Sequence, residues 1–185
     1  MEASTADSEP FCFNSRAKKD VRQQQLSNFW PCSLPDDKGQ WRPTTVEHEY
    51  QARKYEVAFG DIAYARCLRC VKTPQEAKKA GGQAAWVEWT YLETRRQGRP
   101  VTKKALRQQW KDHISQRWVP VSLATMSALL AHKFNSHHNP ELYAALLSTD
   151  RRPLHETGRG HGFWIKSGQD KMGQLLMQLR ARLVG

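Results

Sequence analysis

The chain has 185 residues, enough for one domain with its own core and too few for several. Hydrophobic residues make up 39% and charged residues 25%, which excludes a disordered chain; no run of eighteen apolar residues occurs and residues 1–10 are acidic and polar, so neither a membrane span nor a secretory signal is expected. Lys and Arg number 29 against 18 Asp and Glu, and the formal charge of +11 favours an anionic partner: a nucleic acid, a nucleotide or a phosphorylated metabolite.

Residues 1–10 read as a loose tail, and Phe11-Cys-Phe-Asn14 as a first strand that half-buries two phenylalanines. A polar, basic stretch, 16–25, leads to an apolar knot around Asn28, and the turn residues Asp36-Asp-Lys-Gly39 predict a short hairpin. From Thr44 the pattern is helical. Thr44-Thr-Val-Glu47 fits a capping box at the start of a helix running to about Phe59, and a second helix covers 61–71. Thr73 caps a third, with Pro74 at its first position and Gly81-Gly82 as its stop. After the Gly98–Pro100 break, residues 102–113 form a basic helix. Leu123, Met126, Leu130 and Phe134 make one buried stripe, and Asn139-Pro-Glu opens a helix that ends at Leu146 or Leu147. The last helix carries Met172, Leu175, Leu176, Leu179 and Leu183 on one face, with Arg180 and Arg182 near its C-terminus, where the dipole favours cations. The fold class is mainly α: a single helical domain with a small β element near its start.

Four cysteines without a secretory signal indicate the cytoplasm and no disulfide framework. Cys67 and Cys70 form a CxxC, but Cys12 and Cys32 supply no matching pair, and His132, His137 and His138 lack finger or ribbon spacing. The pair reads as small residues on a helix, and neither a metal nor a cofactor is expected.

Three constellations can carry chemistry. Glu47, Gln51 and Lys54, at offsets of four and seven, fall on one stripe of a helix, where a carboxylate, an amide and an ammonium in line can hold a sugar or a phosphate. The carboxylate can also steady positive charge on a reacting carbon. The competing structural role for Glu47 is the third position of the capping box. A glycine-punctuated loop, 154–164, lets the backbone approach a ligand, with Arg159 and His161 to meet a phosphate and Trp164 either to stack on a base or to plug the core. Residues 83–117 interleave Trp86, Trp89, Tyr91 and Trp110 with Arg95, Arg96, Arg99, Lys103, Lys104, Arg107 and Lys111, a pattern suited to single-stranded nucleic acid or to a solvated basic face. His137-His138 is a loop pair outside any site.

The helix from Thr44 resembles that of the NADAR, or YbiA-like, family, in the motif Glu47-His48-x-x-Gln51-x-x-Lys54. Leu26-Ser-Asn-Phe29 resembles the family's upstream Ser-Asn-Phe. Trp118 and Met126, then Ala131-His-Lys-Phe134, are similar to its Trp, Met and Lys-Phe segment. Leu154, Glu156, Trp164 and the run from Gly168 to Arg180 continue in family order, whereas residues 83–117 look like an insertion.

The resemblance implies a mostly helical fold and an N-glycosidase that splits the base–ribose bond of a phosphorylated ribosyl or ADP-ribosyl substrate, a riboflavin-pathway intermediate or an ADP-ribosylated guanine. Such cleavage passes through a ribosyl cation-like state, for which a nearby carboxylate stabilises the carbon or activates water. Glu47 takes that role; Gln51, Lys54 and Tyr50 hold the substrate; Trp118 and Trp164 stack on the base or wall the pocket; Arg159 meets phosphate; Asn28 and Phe29 close the site. The chain departs from the family pattern at His161, where an Asp is usual, and at Ile165, Ser122, Asp170 and Gly82 in place of Gly, Lys, Asn and Arg. A histidine can act as a general acid near neutral pH, which an ionised Asp cannot. The alternative is a non-catalytic module binding ADP-ribose, a nucleotide or nucleic acid through a degenerate site.

Overall fold

The computed structural model describes residues 9–36, 38–157 and 170–185. The chain is mainly helical with four short strands among the described residues, and divides into two compact units, Met1–Val46 with Ser127–Gly185, and Glu47–Met126. No described helix is long and apolar enough to cross a membrane.

In the first unit, β1 (Phe11–Phe13) buries both phenylalanines and exposes Cys12, the alternation expected of a strand with one covered face. Its partner is β4 (Leu154–Glu156), paired in parallel with Phe11 opposite Leu154. That pairing joins segments more than 140 residues apart, and the residues of β4, read from sequence as part of a loop, carry no strand periodicity over so short a run. α1 (Val21–Gln25), capped by Asp20, was likewise not expected in its polar stretch. β2 (Pro31–Pro35) and β3 (Trp41–Thr45) form the predicted hairpin. Its turn is held by Asp36 Oδ1, which accepts from the backbone N–H of Lys38 and Gln40, and by Gly39 at φ 74°.

α8 (Pro140–Leu147) begins after Asn139, whose side chain bonds both backbone groups of Ser33 at 2.8 and 2.9 Å and so ties the helix start to β2. α9 (Lys171–Val184) is capped by Asp170, which also accepts from the Glu156 N–H at 2.7 Å and secures β4. Arg180 does not serve the helix dipole from the surface: it is buried and donates to Thr149 Oγ1 at 2.6 Å and to the Arg152 carbonyl.

The second unit is built from α2 (Val46–Phe59), α3 (Ile62–Cys70), α4 (Pro74–Ala80), α5 (Gln83–Arg96) and α6 (Lys103–His113). α6 passes through a π-helical turn, Ile114–Trp118, into α7 (Val119–Lys133), which continues into the first unit. Asp61, Thr73 and Thr102 cap α3, α4 and α6, and Thr73 with Glu76 completes a capping box. The core joins Tyr55, Tyr64, Leu68, Trp86 and Leu106, with Phe59, Tyr91 and Trp110 packed against it.

Two local expectations are corrected. Thr44 and Thr45 belong to β3, where Thr44 pairs with Cys32, so the capping box expected at the head of α2 is not formed there: strand pairing extends the backbone as far as Thr45. Of the stripe on α7, Met126, Leu130 and Phe134 are buried but Leu123 is 40% exposed, because helical spacing brings residues to one face without guaranteeing that the face is covered along its whole length. On α5, Trp86 is buried and Trp89, three residues on, is exposed.

Candidate active site on helix α2

α2 carries two working faces. On one, Glu49 and Glu56 both bind Arg69 of α3, at 2.9 and 2.6 Å, and His48 Nε2 lies 3.1 Å from the Val71 carbonyl. These bonds fix the rotation of α2 about its own axis. Buried Ala52 and Tyr55 complete the packing.

The other face holds Glu47, Gln51 and Lys54. Gln51 Nε2 donates to Glu47 Oε1 at 2.8 Å, while Lys54 Nζ donates to Gln51 Oε1 and, at 2.5 Å, to the Gly81 carbonyl. The three side chains therefore form one hydrogen-bonded ladder, in the order that i, i+4, i+7 spacing dictates. Glu47 and Gln51 are buried, and Lys54 is partly so. Glu47 does not return to its own helix start as a capping residue; its oxygen is taken by Gln51.

Burial pushes the Glu47 carboxyl above its ordinary value, against the Gln51 amide and the charges of Lys78 and Lys54, which pull it down. Burial also brings the Lys54 ammonium down to about 8, with Glu47 opposing. A carboxyl made more basic and an ammonium made more acidic, joined through one amide, form a proton-poised pair. Tyr50 and Trp118 lie in the same unit. Both are buried, their rings meet edge-on at 4.9 Å, and the Tyr50 hydroxyl bonds Trp118 and Ser122.

Gly81, which sequence reasoning assigned only to stopping a helix, supports the ladder from α4. A Cβ there would fall on the Gln51 side-chain amide, so the glycine is needed for close approach and not for its φ of −69°. Its carbonyl accepts from Lys54 and, at 3.0 Å, from the Tyr55 hydroxyl, which in turn accepts from Trp110 Nε1 at 3.1 Å. Tyr55, Gly81 and Trp110 are thus additions to the expected residues. Only the packing of α2 against α4 and α6 reveals them, since none stands at a recognisable spacing from Glu47.

The remaining sequence candidates divide plainly. Asn28 and Phe29 lie in the first unit, Asn28 buried and Phe29 half-buried. Arg159, His161 and Trp164 fall outside the described residues. His137 and His138 are exposed, with the His138 ring stacked 3.5 Å from Trp41. Cys67 and Cys70 lie on α3 and are both exposed. Among the described residues, no cluster of His, Cys, Asp or Glu could hold a metal ion.

A model of the NADAR domain matches residues 13–184. The chain is 30% identical over 169 residues to the riboflavin biosynthesis protein PYRR, chloroplastic, of Zea mays; the match takes in 86% of this chain but only 23% of that protein, so the chain spans less than a quarter of its relative's length. The NMR structure of YbiA from E. coli superposes with a TM-score of 0.61 at 27% identity, covering 96% of this chain and 86% of that one. With the family model running through nearly the whole chain, the ladder on α2 and the helices around it are those of a member of the NADAR family, to which this protein belongs.

Proposed function

We propose that the protein is an N-glycosidase that hydrolyses the base–ribose bond of a phosphorylated ribosyl substrate. The observation that carries this reading is the buried Glu47–Gln51–Lys54 ladder, which sets a carboxylate of raised basicity beside an ammonium on a helix of a family related to a riboflavin biosynthesis protein. In the reaction, water adds to C1′ of the ribose as the C1′–N bond breaks. The departing base keeps the bonding pair and takes up a proton, and Glu47 accepts the proton that water sheds. The same carboxylate faces the positive charge developing on C1′, where a water-poor site makes it most effective. Lys54 and Gln51 orient the ribose or its phosphate, and Tyr50 and Trp118 wall the base. His161 is assigned as the acid that protonates the leaving nitrogen, and Arg159 and Trp164 as further substrate contacts.

The test is release of free base or ADP-ribose from ribosylaminopyrimidine phosphate, from guanine ADP-ribosylated in DNA and from NAD. Release that requires Glu47 establishes a glycosidase and names its substrate. Binding of ADP-ribose without release from any of the three replaces the reading with that of a binding module.

A further inference from the structure

Residues 83–117 contain eight Lys and Arg against three Asp and Glu, and the site on α2 uses none of those charges. The structure sorts them. Lys103 is held by Glu88 at 2.5 Å and Arg96 by Glu93 at 3.0 Å. Arg95, Arg99, Lys104, Arg107 and Lys111 have no acidic partner among the described residues, and all five are exposed. Cations left unpaired in this number on one helical hairpin repel one another, and an anionic ligand relieves that repulsion.

Their arrangement is directional. Between the end of α5 and the start of α6 lies a groove of about 820 Å³, lined by Tyr91, Arg95, Arg99, Pro100, Val101 and Thr102 among others. Tyr91 is half-buried in it, with the Arg95 guanidinium 5.7 Å and the Lys103 ammonium 4.9 Å from its ring centre. From the groove, Lys104, Arg107 and Lys111 continue along α6 at i, i+3 and i+7, on the face away from buried Leu106, over a rise of about 10 Å. A ring accessible from a groove, cations around it and a line of cations leading away match what a single strand presents: a base to stack and a run of phosphates.

We propose that the α5–α6 hairpin binds single-stranded nucleic acid, with a base against Tyr91 between Arg95 and Arg99 and successive phosphates along Lys104, Arg107 and Lys111. An acidic protein or an anionic membrane would answer the charge but has no use for the aromatic floor of the groove. The proposal does not depend on the glycosidase reading, and its readout involves no turnover.

The test is fluorescence anisotropy of the full chain with a labelled twenty-nucleotide oligo(dT), titrated at several KCl concentrations. Three partners run in parallel: oligo(U), a duplex of equal length and vesicles rich in anionic phospholipid. Arg95→Gln/Arg99→Gln and Lys104→Gln/Arg107→Gln/Lys111→Gln should each weaken binding at least about tenfold. The triple variant should also flatten the slope of log K against log salt by about two, the loss of three phosphate contacts. Lys18→Gln/Lys19→Gln, which removes exposed charge from the other unit, should leave affinity unchanged. Because all substituted residues are exposed, melting temperature should not move. The proposal is overturned if oligo(dT) and oligo(U) both fail to bind, if the Lys18/Lys19 variant weakens binding as much as the hairpin variants do, or if duplex or vesicles bind more tightly than either single strand.

Discussion

Glu47 and Lys54 are shifted by burial in opposite senses, and this makes the pH dependence of the site a direct reading of its geometry. The proposed hydrolysis requires Glu47 ionised and both His161 and Lys54 protonated, so kcat/KM should rise along an acid limb whose midpoint lies above the ordinary carboxylate value and fall along an alkaline limb set by whichever of the two acids loses its proton first, no later than about 8. A profile flat from pH 5 to 9 would remove both residues from the reaction. The Glu47→Gln variant should lose release activity by at least about a hundredfold, in the range of general-base catalysis. Its stability carries a further sign. A carboxyl whose folded pKa is raised contributes stability fully below its unfolded pKa and loses it as pH rises through the folded one. The neutral variant should therefore melt no lower than the parent at pH 7, with its relative advantage shrinking as pH falls through the raised folded value and gone once pH is below about 4.5. A capping residue would instead lose stability on substitution at neutral pH. The stripe of three residues was legible in the sequence because one helix sets their spacing. That Gln51 would bridge the other two was not, since a capping role for Glu47 fits the same letters.

At the scale of elements, the ladder is held by α4 and α6 as much as by α2. Gly81→Ala places a methyl group where the Gln51 amide lies, and should cost roughly 1–3 kcal/mol of stability as an overpacked contact together with most of the activity. Trp110→Phe keeps an aromatic ring, smaller than the indole, and withdraws the N–H from Tyr55. It should reduce kcat several-fold through a looser Gly81–Lys54 contact while KM changes little, and Tyr55→Phe should reproduce the effect. If both variants match the parent in kcat, the chain of bonds serves only packing. Some helix starts were readable: Thr73 as a cap and Asp61 and Thr102 as first residues, each binding a backbone N–H in the first turn of its helix. β4 and the start of α2 were not readable, because a strand of three residues exists only through its partner, and the pairing of β3 with β2 overrides the helical signal of Thr44 and Thr45.

For the whole molecule, a formal charge of +11 on 185 residues acts on any phosphate-bearing ligand before contact. KM for a phosphorylated substrate should rise several-fold between about 50 and 300 mM salt with kcat steady, while a dephosphorylated analogue is insensitive. Equal salt dependence for the two would place the effect in the protein and not in its attraction for phosphate. The two compact units each carry their own buried residues. The first buries Lys133 completely, its ammonium donating to the Ser27 carbonyl at 2.6 Å and brought down to about 8 by burial, so a charged group in a core is not confined to the candidate site.

The amino-acid sequence alone determined the mainly helical class, the order of most helices, the Thr73 cap and the alignment of Glu47, Gln51 and Lys54, because each follows from periodicity or from a few adjacent residues. Its motifs also carried the resemblance to the NADAR family. Tertiary structure alone decided that Gly81 takes the Lys54 ammonium, that Trp110 of α6 reaches Tyr55, that β1 pairs with β4 from the far end of the chain, and which basic residues of the α5–α6 hairpin find acidic partners among the described residues. These contacts join residues far apart in sequence, or turn on which rotamer a long side chain adopts, and no local spacing encodes either.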